Sequence, residues 1–313
     1  MRFLCNLIKY LICVSLVLII GVGLYIGNTA YLELTTQPWD QRLNITNHTD
    51  ELQEIHTLEQ QNDWKQVHVH SLDGTQLTGT YIENPSGSHT TVIILHGIYQ
   101  NRTMSVPYAQ IYLRQGYNVL MPDIRGHGES DGNINDWGIH NTEDMSSWVT
   151  WLQQKDPQAT IGFHGISLGG AMSLLYAGTP QGQTLKFVVA DSAYGNILEL
   201  GQEKIMGYTG DQRLLHGMQF LTPFFEIALY YHTQKTLSDL DPAASVKRMS
   251  APVLFLHGNQ DQLIPVHIAE DMENESTSSF KKLTYFEKAG HANAISTDPK
   301  AYARTITNFL NVL

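Results

Sequence analysis

Cysteine is almost absent from this sequence of 313 residues. The two that it contains, Cys5 and Cys13, both lie in the N-terminal segment. The remainder of the chain therefore forms no disulfide and cannot use a thiol as a nucleophile. Such a composition fits a bacterial exported protein.

Basic residues are scarce as well. The sequence has 19 Lys and Arg residues against 30 Asp and Glu residues, which gives a formal net charge of −11 at pH 7. A nucleic-acid partner would require a basic face, and so would electrostatic adsorption to an anionic lipid surface. We therefore expect neither of these interactions.

Signatures of metal and nucleotide binding are missing too. His68 and His70 alternate on one predicted strand, but no third ligand of suitable spacing is nearby and there is no H-E-x-x-H pattern. The glycine pairs of the sequence form neither a G-x-G-x-x-G fingerprint nor a P-loop. We therefore expect no metal ion and no cofactor.

A long apolar run opens the sequence. Residues 10–32 contain no charged side chain and are dominated by Leu, Ile, Val and Gly, whereas Arg2 and Lys9 precede them. A helix of this length can cross a hydrocarbon core of about 30 Å. The basic N-terminal flank predicts a cytoplasmic N-terminus. Residues 1–32 are thus predicted to be a membrane anchor that leaves the rest of the chain outside the cell.

A cleaved signal peptide is the alternative interpretation of this run. Cleavage would fall best after residues 28–30, where Asn28 is a poor residue for the −3 position. A lipoprotein site at Cys13 fails because Ile12 is not small. The sequence therefore favours an uncleaved anchor over secretion.

Two glycines in the run, Gly23 and Gly27, are four residues apart. A small-xxx-small pair of this kind lets two helices approach each other closely. In a single segment the same spacing more often arises by chance, which is the interpretation that the sequence favours.

From residue 64 onward, strand and helix patterns alternate. Two extended stretches flank the turn signal Asp73-Gly74, which predicts a hairpin. The predicted strands are residues 65–70, 76–82, 91–95, 118–121, 161–163, 185–190, 253–256 and 283–286. Helical patterns at residues 105–115 and 142–154 separate several of them. This alternation predicts an α/β fold with a mostly parallel sheet flanked by helices.

Two segments depart from the alternation. Residues 33–63 are polar and weakly patterned, which predicts a stalk or an irregular N-terminal segment ahead of one domain spanning residues 64–313. Residues 194 to about 249 are too long for one β–α repeat and carry aromatic residues in helical patterns. We predict a helical insertion there, with most of its aromatic side chains packed against the sheet.

A serine between two glycines is the clearest sign of chemistry. Residues 165–169 read GISLG, after the strand-like residues 161–164 and before the helix-forming residues 170–177. Such a strand–turn–helix requires small neighbours because the backbone at the serine is strained. It also places the hydroxyl at a helix N-terminus, where developing negative charge is stabilised. A G-x-S-x-G pattern alone occurs by chance, but this placement favours Ser167 as a nucleophile.

A serine nucleophile requires a base and a carboxylate that orients the base. For this kind of turn they follow in the order Ser, then Asp or Glu, then His. Asp261 and His291 fit that order, and each follows a predicted strand at the sheet edge where α/β folds place their chemistry. Asp191, also at a strand end, is the alternative carboxylate. We favour Asp261 and expect Asp191 to cap or brace the insertion.

These motifs resemble those of the α/β-hydrolases, in particular the serine-hydrolase branch that includes bacterial esterases and membrane-anchored relatives of the BEM46 type. The matching segments are LHGIYQNR at 95–102, PDIRGHGESDG at 122–132, HGISLGG at 164–170, HGNQD at 257–261 and GH at 290–291. Their shared order, from about residue 67 to the C-terminus, makes the resemblance to the superfamily specific. It implies the α/β-hydrolase fold, with residues 194–249 as a helical cap insertion.

The resemblance also implies a role for each site residue. Ser167 would attack the substrate, His291 would act as the general base, and Asp261 would orient His291. The backbone N–H groups of Ile98 and Leu168 would form the oxyanion hole.

Among the further histidines in these motifs are His96, His127 and His164. Each adjoins a glycine in a tight turn. We interpret them as hydrogen-bonded structural residues and not as catalytic groups.

The sequence as a whole predicts a membrane-anchored serine hydrolase, in the first place a carboxylesterase that acts on small or medium acyl esters. The same residues could serve a serine peptidase, an acyltransferase or a thioesterase. A non-catalytic surface-binding domain is a third possibility, against which the complete Ser, Asp and His set argues. The expected partners are a small-molecule acyl substrate and a membrane bound through the N-terminal helix.

Overall fold

The computed structural model of the protein describes residues 2–42 and 45–313. Met1 of the predicted anchor, and Leu43 and Asn44 of the predicted stalk, lie outside the described residues. All of the predicted site residues lie within the described part of the chain.

The chain divides into two compact units. The helical unit contains the chain up to Gln37 together with Gly201–Asp239, and the sheet unit contains Pro38–Leu200 and Leu240–Leu313. The predicted boundaries between anchor, stalk and domain follow sequence character and stay a prediction.

The sheet unit is built on one eight-stranded sheet among the described residues. Its strands are β1 Lys65–His70, β2 Gln76–Ile82, β3 Thr90–Leu95, β4 Asn118–Pro122, β5 Thr160–Ile166, β6 Phe187–Asp191, β7 Val253–Gly258 and β8 Lys281–Phe286. The spatial order is β1-β2-β4-β3-β5-β6-β7-β8. Strand β2 is antiparallel to β1 and β4, and the neighbouring pairs from β4 to β8 are parallel. The predicted mostly parallel sheet is therefore confirmed.

Helices occur before, between and after the strands. In the described residues they are α1 Arg2–Thr36, α2 Trp39–Arg42, α3 Gln53–Asn62, α4 Val106–Arg114, α5 Asn141–Lys155, α6 Leu168–Ala177, α7 Ile197–Thr209, α8 Gln212–Thr233, α9 Pro242–Val246, α10 Val266–Glu275, α11 Ala294–Thr297 and α12 Pro299–Leu310. Short 3₁₀ turns at Arg102–Ser105, Gln181–Thr184 and Leu237–Leu240 complete the elements.

Two apolar layers lie on opposite faces of the sheet. One contains Trp148 of α5 and Leu174 of α6, and the other contains Tyr112 of α4 and Ile306 of α12. Successive residues of a strand point to opposite faces, and strands buried on both faces read as continuous apolar runs. The wholly buried strand β3, with the sequence TTVIIL, shows this pattern. The predicted flanking of the sheet by helices is confirmed.

The segment predicted as a stalk or irregular stretch contains helix α3, which packs into the sheet unit. Ile55 of α3 is fully buried in the second apolar layer. Glu59 accepts hydrogen bonds from Thr80 (2.5 Å) and from Arg102 (3.3 Å). The sequence signal is weak because one apolar residue and polar contacts hold this helix, in place of an amphipathic stripe.

Within the helical unit, α1 and α8 pack against each other through the two spaced glycines. A Cβ atom on Gly23 would lie 2.5 Å from the ring of Phe224, and one on Gly27 would collide with the Phe224 backbone carbonyl. Nearby, the Nε2 of His232 lies 2.8 Å from the side-chain oxygen of Asn28. The glycine pair is therefore used for helix packing.

The glycine contact gives a testable prediction. Replacing Gly27 with Leu should separate α1 from α8, because the side chain would meet the backbone of Phe224. Gly21→Leu is the matched control, since a Cβ there has no neighbour within 4 Å. The readout is oxidative cross-linking between Asn28→Cys and His232→Cys in a chain whose Cys5 and Cys13 are replaced by Ser. We expect the cross-link in the Gly21 variant and its loss in the Gly27 variant; equal cross-linking in both would contradict the packing.

Candidate active site

Ser167 lies in the turn between β5 and α6, at the carboxyl end of a parallel strand. Its φ of 53° and ψ of −113° are a conformation that residues with side chains rarely adopt. The Ser167 N–H donates to the carbonyl of Asp191 (2.8 Å), and the Ser167 carbonyl accepts from the N–H of Ala171 (3.0 Å). The backbone therefore holds the serine in the strained turn that the sequence predicts.

The glycines on either side of Ser167 are required by close backbone contacts. A Cβ atom on Gly165 would collide with the carbonyl oxygen of Gly169, and a Cβ atom on Gly169 would collide with the carbonyl oxygen of Leu95. Strands β3 and β5 and helix α6 thus meet at a point where no side chain fits. This packing explains the glycine positions of the motif.

The side chains of Ser167, His291 and Asp261 form one hydrogen-bonded chain. The Oγ of Ser167 is 2.8 Å from the Nε2 of His291, and the Nδ1 of His291 is 2.8 Å from the Oδ2 of Asp261. Because the carboxylate accepts at Nδ1–H, Nε2 is the ring atom left to accept the serine proton. The structure thus brings together three residues that are 30 to 124 positions apart in sequence.

The carboxylate of Asp261 is held by several donors. Its Oδ1 accepts from the backbone N–H groups of Leu263 and Ile264, both at 2.8 Å. Burial alone would raise the pKa of Asp261, but hydrogen bonds from His257 and His291 outweigh that effect and hold the pKa well below its usual range. Asp261 is therefore ionised over the range in which a histidine titrates.

His257 is a second imidazole beside Asp261. Its Nε2 lies 2.9 Å from the carbonyl of Ile264 and 3.4 Å from the Oδ2 of Asp261. Burial acts to lower the pKa of His257, but the two acceptors raise it above the ordinary value. His257 opens the HGNQD motif, but its contact with Asp261 was not predicted from the sequence.

Two backbone N–H groups, those of Leu168 and Ile98, are predicted to form an oxyanion hole. Leu168 is the first residue of α6, so its N–H has no acceptor within the helix. Ile98 lies between Gly97, whose N–H donates to Gln100 (3.1 Å), and Tyr99, whose N–H donates to the Nε2 of His127 (3.1 Å). The loop around Ile98 is thereby fixed on both sides of its own N–H.

His96 and His127 hold the loops next to the site. The Nε2 of His96 accepts from the N–H of Ile124 (3.0 Å), and the Nδ1 of His127 donates to the carbonyl of Arg125 (3.0 Å). Burial lowers the pKa of each histidine to about 4. Both are therefore neutral, hydrogen-bonded bridges between loops at neutral pH.

The sequence led us to expect that Asp191 caps or braces the helical insertion, but the side-chain contacts of Asp191 lie elsewhere. It is fully buried, with Oδ2 accepting from the hydroxyl of Tyr302 (2.6 Å) and Oδ1 accepting from Ser192 (2.9 Å). The Ser192 Oγ in turn accepts from the N–H of Ala292 (3.1 Å), the residue after His291. Asp191 is therefore linked through Ser192 to the loop that carries His291.

The same hydrogen-bond network extends to His164 of strand β5. Its Nε2 is 3.1 Å from the hydroxyl of Tyr302, and its Nδ1 is 3.0 Å from the hydroxyl of Tyr112. When Asp191 is ionised, the Tyr302 hydroxyl donates its hydrogen bond to that carboxylate. The Nε2–H of His164 therefore donates to the Tyr302 oxygen, and the Nδ1 of His164 accepts from the Tyr112 hydroxyl. Burial lowers the pKa of His164 to about 3, which keeps this histidine neutral.

A buried arginine holds the loop that contains Ile98. Arg102 forms an ion pair with Asp123, and its backbone N–H also donates to that carboxylate (2.7 Å). A further guanidinium nitrogen donates to Glu129 (2.6 Å) and Glu59 (3.3 Å). A buried charge requires such partners, but they come from distant parts of the sequence, so sequence patterns did not identify them.

His68 and His70 both lie on strand β1. Among residues 2–42 and 45–313, no group of three or more His, Cys, Asp or Glu side chains is arranged to hold a metal ion. The Nδ1 of His68 lies 3.0 Å from the hydroxyl of Thr78 on the neighbouring strand. The described residues therefore provide no candidate metal centre.

Comparisons with known proteins agree with this architecture. A family model described as the alpha/beta hydrolase fold matches residues 90–218. YqkD of Bacillus subtilis (strain 168), an uncharacterised protein, is 28% identical over 244 residues, which cover 78% of each chain.

Two solved structures extend the comparison. The esterase Pf2001 of Pyrococcus furiosus has a TM-score of 0.62 at 24% identity and covers 79% of this chain and 92% of its own. A membrane phospholipase A, described as a novel bacterial virulence factor, has a TM-score of 0.59 at 16% identity and covers 99% of this chain and 98% of its own. The protein has the α/β-hydrolase fold, which confirms the predicted resemblance at the level of the superfamily. The narrower resemblance to the BEM46 type stays a prediction.

The buried Asp191–Tyr302 pair predicts a pH-dependent stability effect. Burial raises the pKa of Asp191, and the hydrogen bond from Tyr302 opposes that rise. Tyr302→Phe should raise this pKa further, so the stability lost relative to wild type should grow as pH increases through it, reaching about 1–3 kcal/mol. The measurement is urea unfolding of the detergent-solubilised protein at mildly acidic and at neutral pH.

The matched control is Tyr285→Phe, which removes the 2.7 Å hydrogen bond from an exposed tyrosine to the carboxylate of Glu270. Because water replaces that bond, we expect little change in the free energy of unfolding at either pH. A loss for Tyr302→Phe that is the same at both pH values would contradict the predicted coupling.

Proposed function

We propose that the protein is a serine hydrolase that cleaves small or medium acyl esters through an acyl-enzyme. The observation that carries the proposal is the chain of two 2.8 Å hydrogen bonds from Ser167 through His291 to Asp261. A serine hydroxyl is a weak nucleophile until an adjacent base accepts its proton. The strained turn of Ser167 at the N-terminus of α6 further supports a role as nucleophile.

The reaction proceeds in two halves. Ser167 Oγ attacks the ester carbonyl carbon while the Nε2 of His291 takes the hydroxyl proton, and Asp261 stabilises the imidazolium. The N–H groups of Ile98 and Leu168 stabilise the oxyanion of the tetrahedral intermediate. His291 then protonates the leaving alcohol, which departs and leaves an acyl-serine. In the second half a water molecule attacks the acyl carbon while His291 takes its proton. The bond between the acyl carbon and Ser167 Oγ then breaks, His291 returns the proton to Oγ, and the acid is released.

An ester bond is the proposed target because two structural neighbours carry names that denote ester hydrolysis. One is named an esterase and the other a phospholipase A. The proposed mechanism uses this chain's own serine, histidine and aspartate and draws on no cofactor.

We also propose that α1 anchors the protein in the cell membrane, with the sheet unit on the outer side. Among the described residues, α1 is the helix that is long and apolar enough to cross a bilayer. Its charged residues near the N-terminus, Arg2 and Lys9, favour a cytoplasmic N-terminus.

The first functional prediction is covalent labelling of Ser167 by a fluorophosphonate probe, which reacts with activated serine hydroxyls. Labelling should disappear in Ser167→Ala and fall strongly in His291→Ala, because the hydroxyl then has no base. Ser173→Ala is the control, since that serine is buried in α6 and bonded to the carbonyl of Gly169 (2.8 Å). The probe is detected by in-gel fluorescence. Equal labelling of wild type and Ser167→Ala would exclude this assignment.

The second prediction separates the two buried carboxylates. Asp261→Asn should reduce turnover of a short-chain p-nitrophenyl ester by about 10⁴, because the amide favours the wrong tautomer of His291. Asp191→Asn should reduce turnover far less, since the hydrogen-bond partners of that side chain are Tyr302 and Ser192. Circular dichroism checks that both variants fold. The opposite ranking in folded variants would transfer the orienting role to Asp191.

A further inference from the structure

Helix α8 carries an apolar face that its own unit leaves exposed. Phe220, Ile227 and Tyr231 are 60%, 53% and 77% exposed. They are spaced at i, i+7 and i+11, so they share one side of the helix. Pro223 lies on the same side and is also exposed. A helix of a soluble protein turns its polar face to water, so this face requires a different environment.

The packing of α8 on α1 shows which way this face runs. The ring of Phe224 lies against Gly23, the Phe224 carbonyl lies against Gly27, and His232 lies beside Asn28. Moving along α1 towards its C-terminus therefore means moving along α8 towards its C-terminus. The two helices are parallel, and the part of α8 before Phe224 extends towards the N-terminus of α1.

The length of a membrane span then sets the level of α8. A spanning helix needs about 20 apolar residues. A span that starts at Phe3 would reach about residue 22, and one that starts after Lys9 would reach about residue 29. In either case Gly23 lies at the outer surface of the hydrocarbon core or inside the core. The turns of α8 that precede Phe224 lie on the membrane side of that level.

We propose that the exposed face of α8 around Phe220 contacts lipid at the outer-leaflet side of the bilayer. The inference rests on the proposed membrane anchoring by α1. The partner is the interfacial and acyl region of a phospholipid bilayer.

The composition of this part of α8 fits lipid contact. The turns around Phe220, residues 217–227, contain no Arg or Lys residue, and Arg213, nearer the start of α8, is paired with Asp211 (2.9 Å). Leu214, two turns before Phe220, is 49% exposed. Tyr230 and Tyr231 follow towards the C-terminus, and tyrosine is enriched at the level of the lipid headgroups. A net charge of −11 makes apolar contact, and not attraction to anionic lipid, the source of binding.

The experiment places an environment-sensitive fluorophore at single cysteines in the full chain. The background is Cys5→Ser with Cys13→Ser, which removes both native cysteines. Leu214→Cys and Phe220→Cys report on α8. The protein is reconstituted in phosphatidylcholine vesicles, with or without doxyl-labelled lipid as a membrane quencher, and iodide serves as the aqueous quencher.

Two reference labels make the result interpretable. Leu72→Cys, at a side chain that is 84% exposed in the β1–β2 turn, reports on water. Leu18→Cys, in the middle of α1, reports on the bilayer and so tests the anchor itself. Circular dichroism confirms that each labelled variant keeps its helix and sheet content.

We expect doxyl lipid to quench the labels at 214 and 220 several-fold more strongly than the label at 72, and iodide to quench them less. Labels at 214 and 220 that respond like the label at 72, while the label at 18 is quenched by lipid, would overturn the inference and leave the anchor intact. Labels protected from both quenchers would show contact with protein and also overturn it. A label at 18 that lipid does not quench would overturn the anchor and the inference together, while the fluorophosphonate experiment would still test the catalytic proposal.

Discussion

The close backbone packing around Ser167 is the constraint on which the rest of the candidate site depends. Strands β3 and β5 and helix α6 meet at Gly165 and Gly169 without room for a Cβ atom. Ser167 is thereby held at a φ of 53°, a conformation that costs of order 1–3 kcal/mol. The same turn directs the hydroxyl to His291 and leaves the N–H of Leu168 without a helical acceptor. The proposed nucleophile and one proposed oxyanion donor thus arise from one backbone feature.

The two buried carboxylates at the sheet edge, Asp261 and Asp191, both help to hold His291 in place. Asp261 contacts the imidazole directly and is itself fixed by backbone donors. Asp191 acts on the loop, because it orients Ser192, whose hydroxyl accepts from the N–H of Ala292. Each carboxylate is costly to bury unless it is paired. The hydrogen bonds that satisfy them therefore also restrict the position of His291.

Sequence patterns predicted the features that depend on local residue order. The strands follow from apolar runs, and Ser167, Asp261 and His291 follow from motifs at strand ends, where a parallel sheet brings them to one edge. Features that depend on distant partners were not predicted. The contacts of Arg102 join four segments, and Asp191 is bonded to Tyr302, 111 positions away. The sequence around a carboxylate at a strand end does not indicate which donor will contact it. The expectation that Asp191 braces the insertion was therefore wrong.

The paired helices α1 and α8 differ in what they would contribute to the proposed membrane binding. Full burial of a large apolar side chain yields about 1.5–3 kcal/mol. Phe220, Ile227 and Tyr231 already lie partly covered, so their combined contribution falls short of the sum of three full burials. A spanning helix, in contrast, is held almost irreversibly. If α1 spans, it accounts for retention on the membrane, and contact through α8 adds orientation. Because Gly23 and Gly27 bring the helices together at backbone distance, the depth of α1 sets the depth of α8.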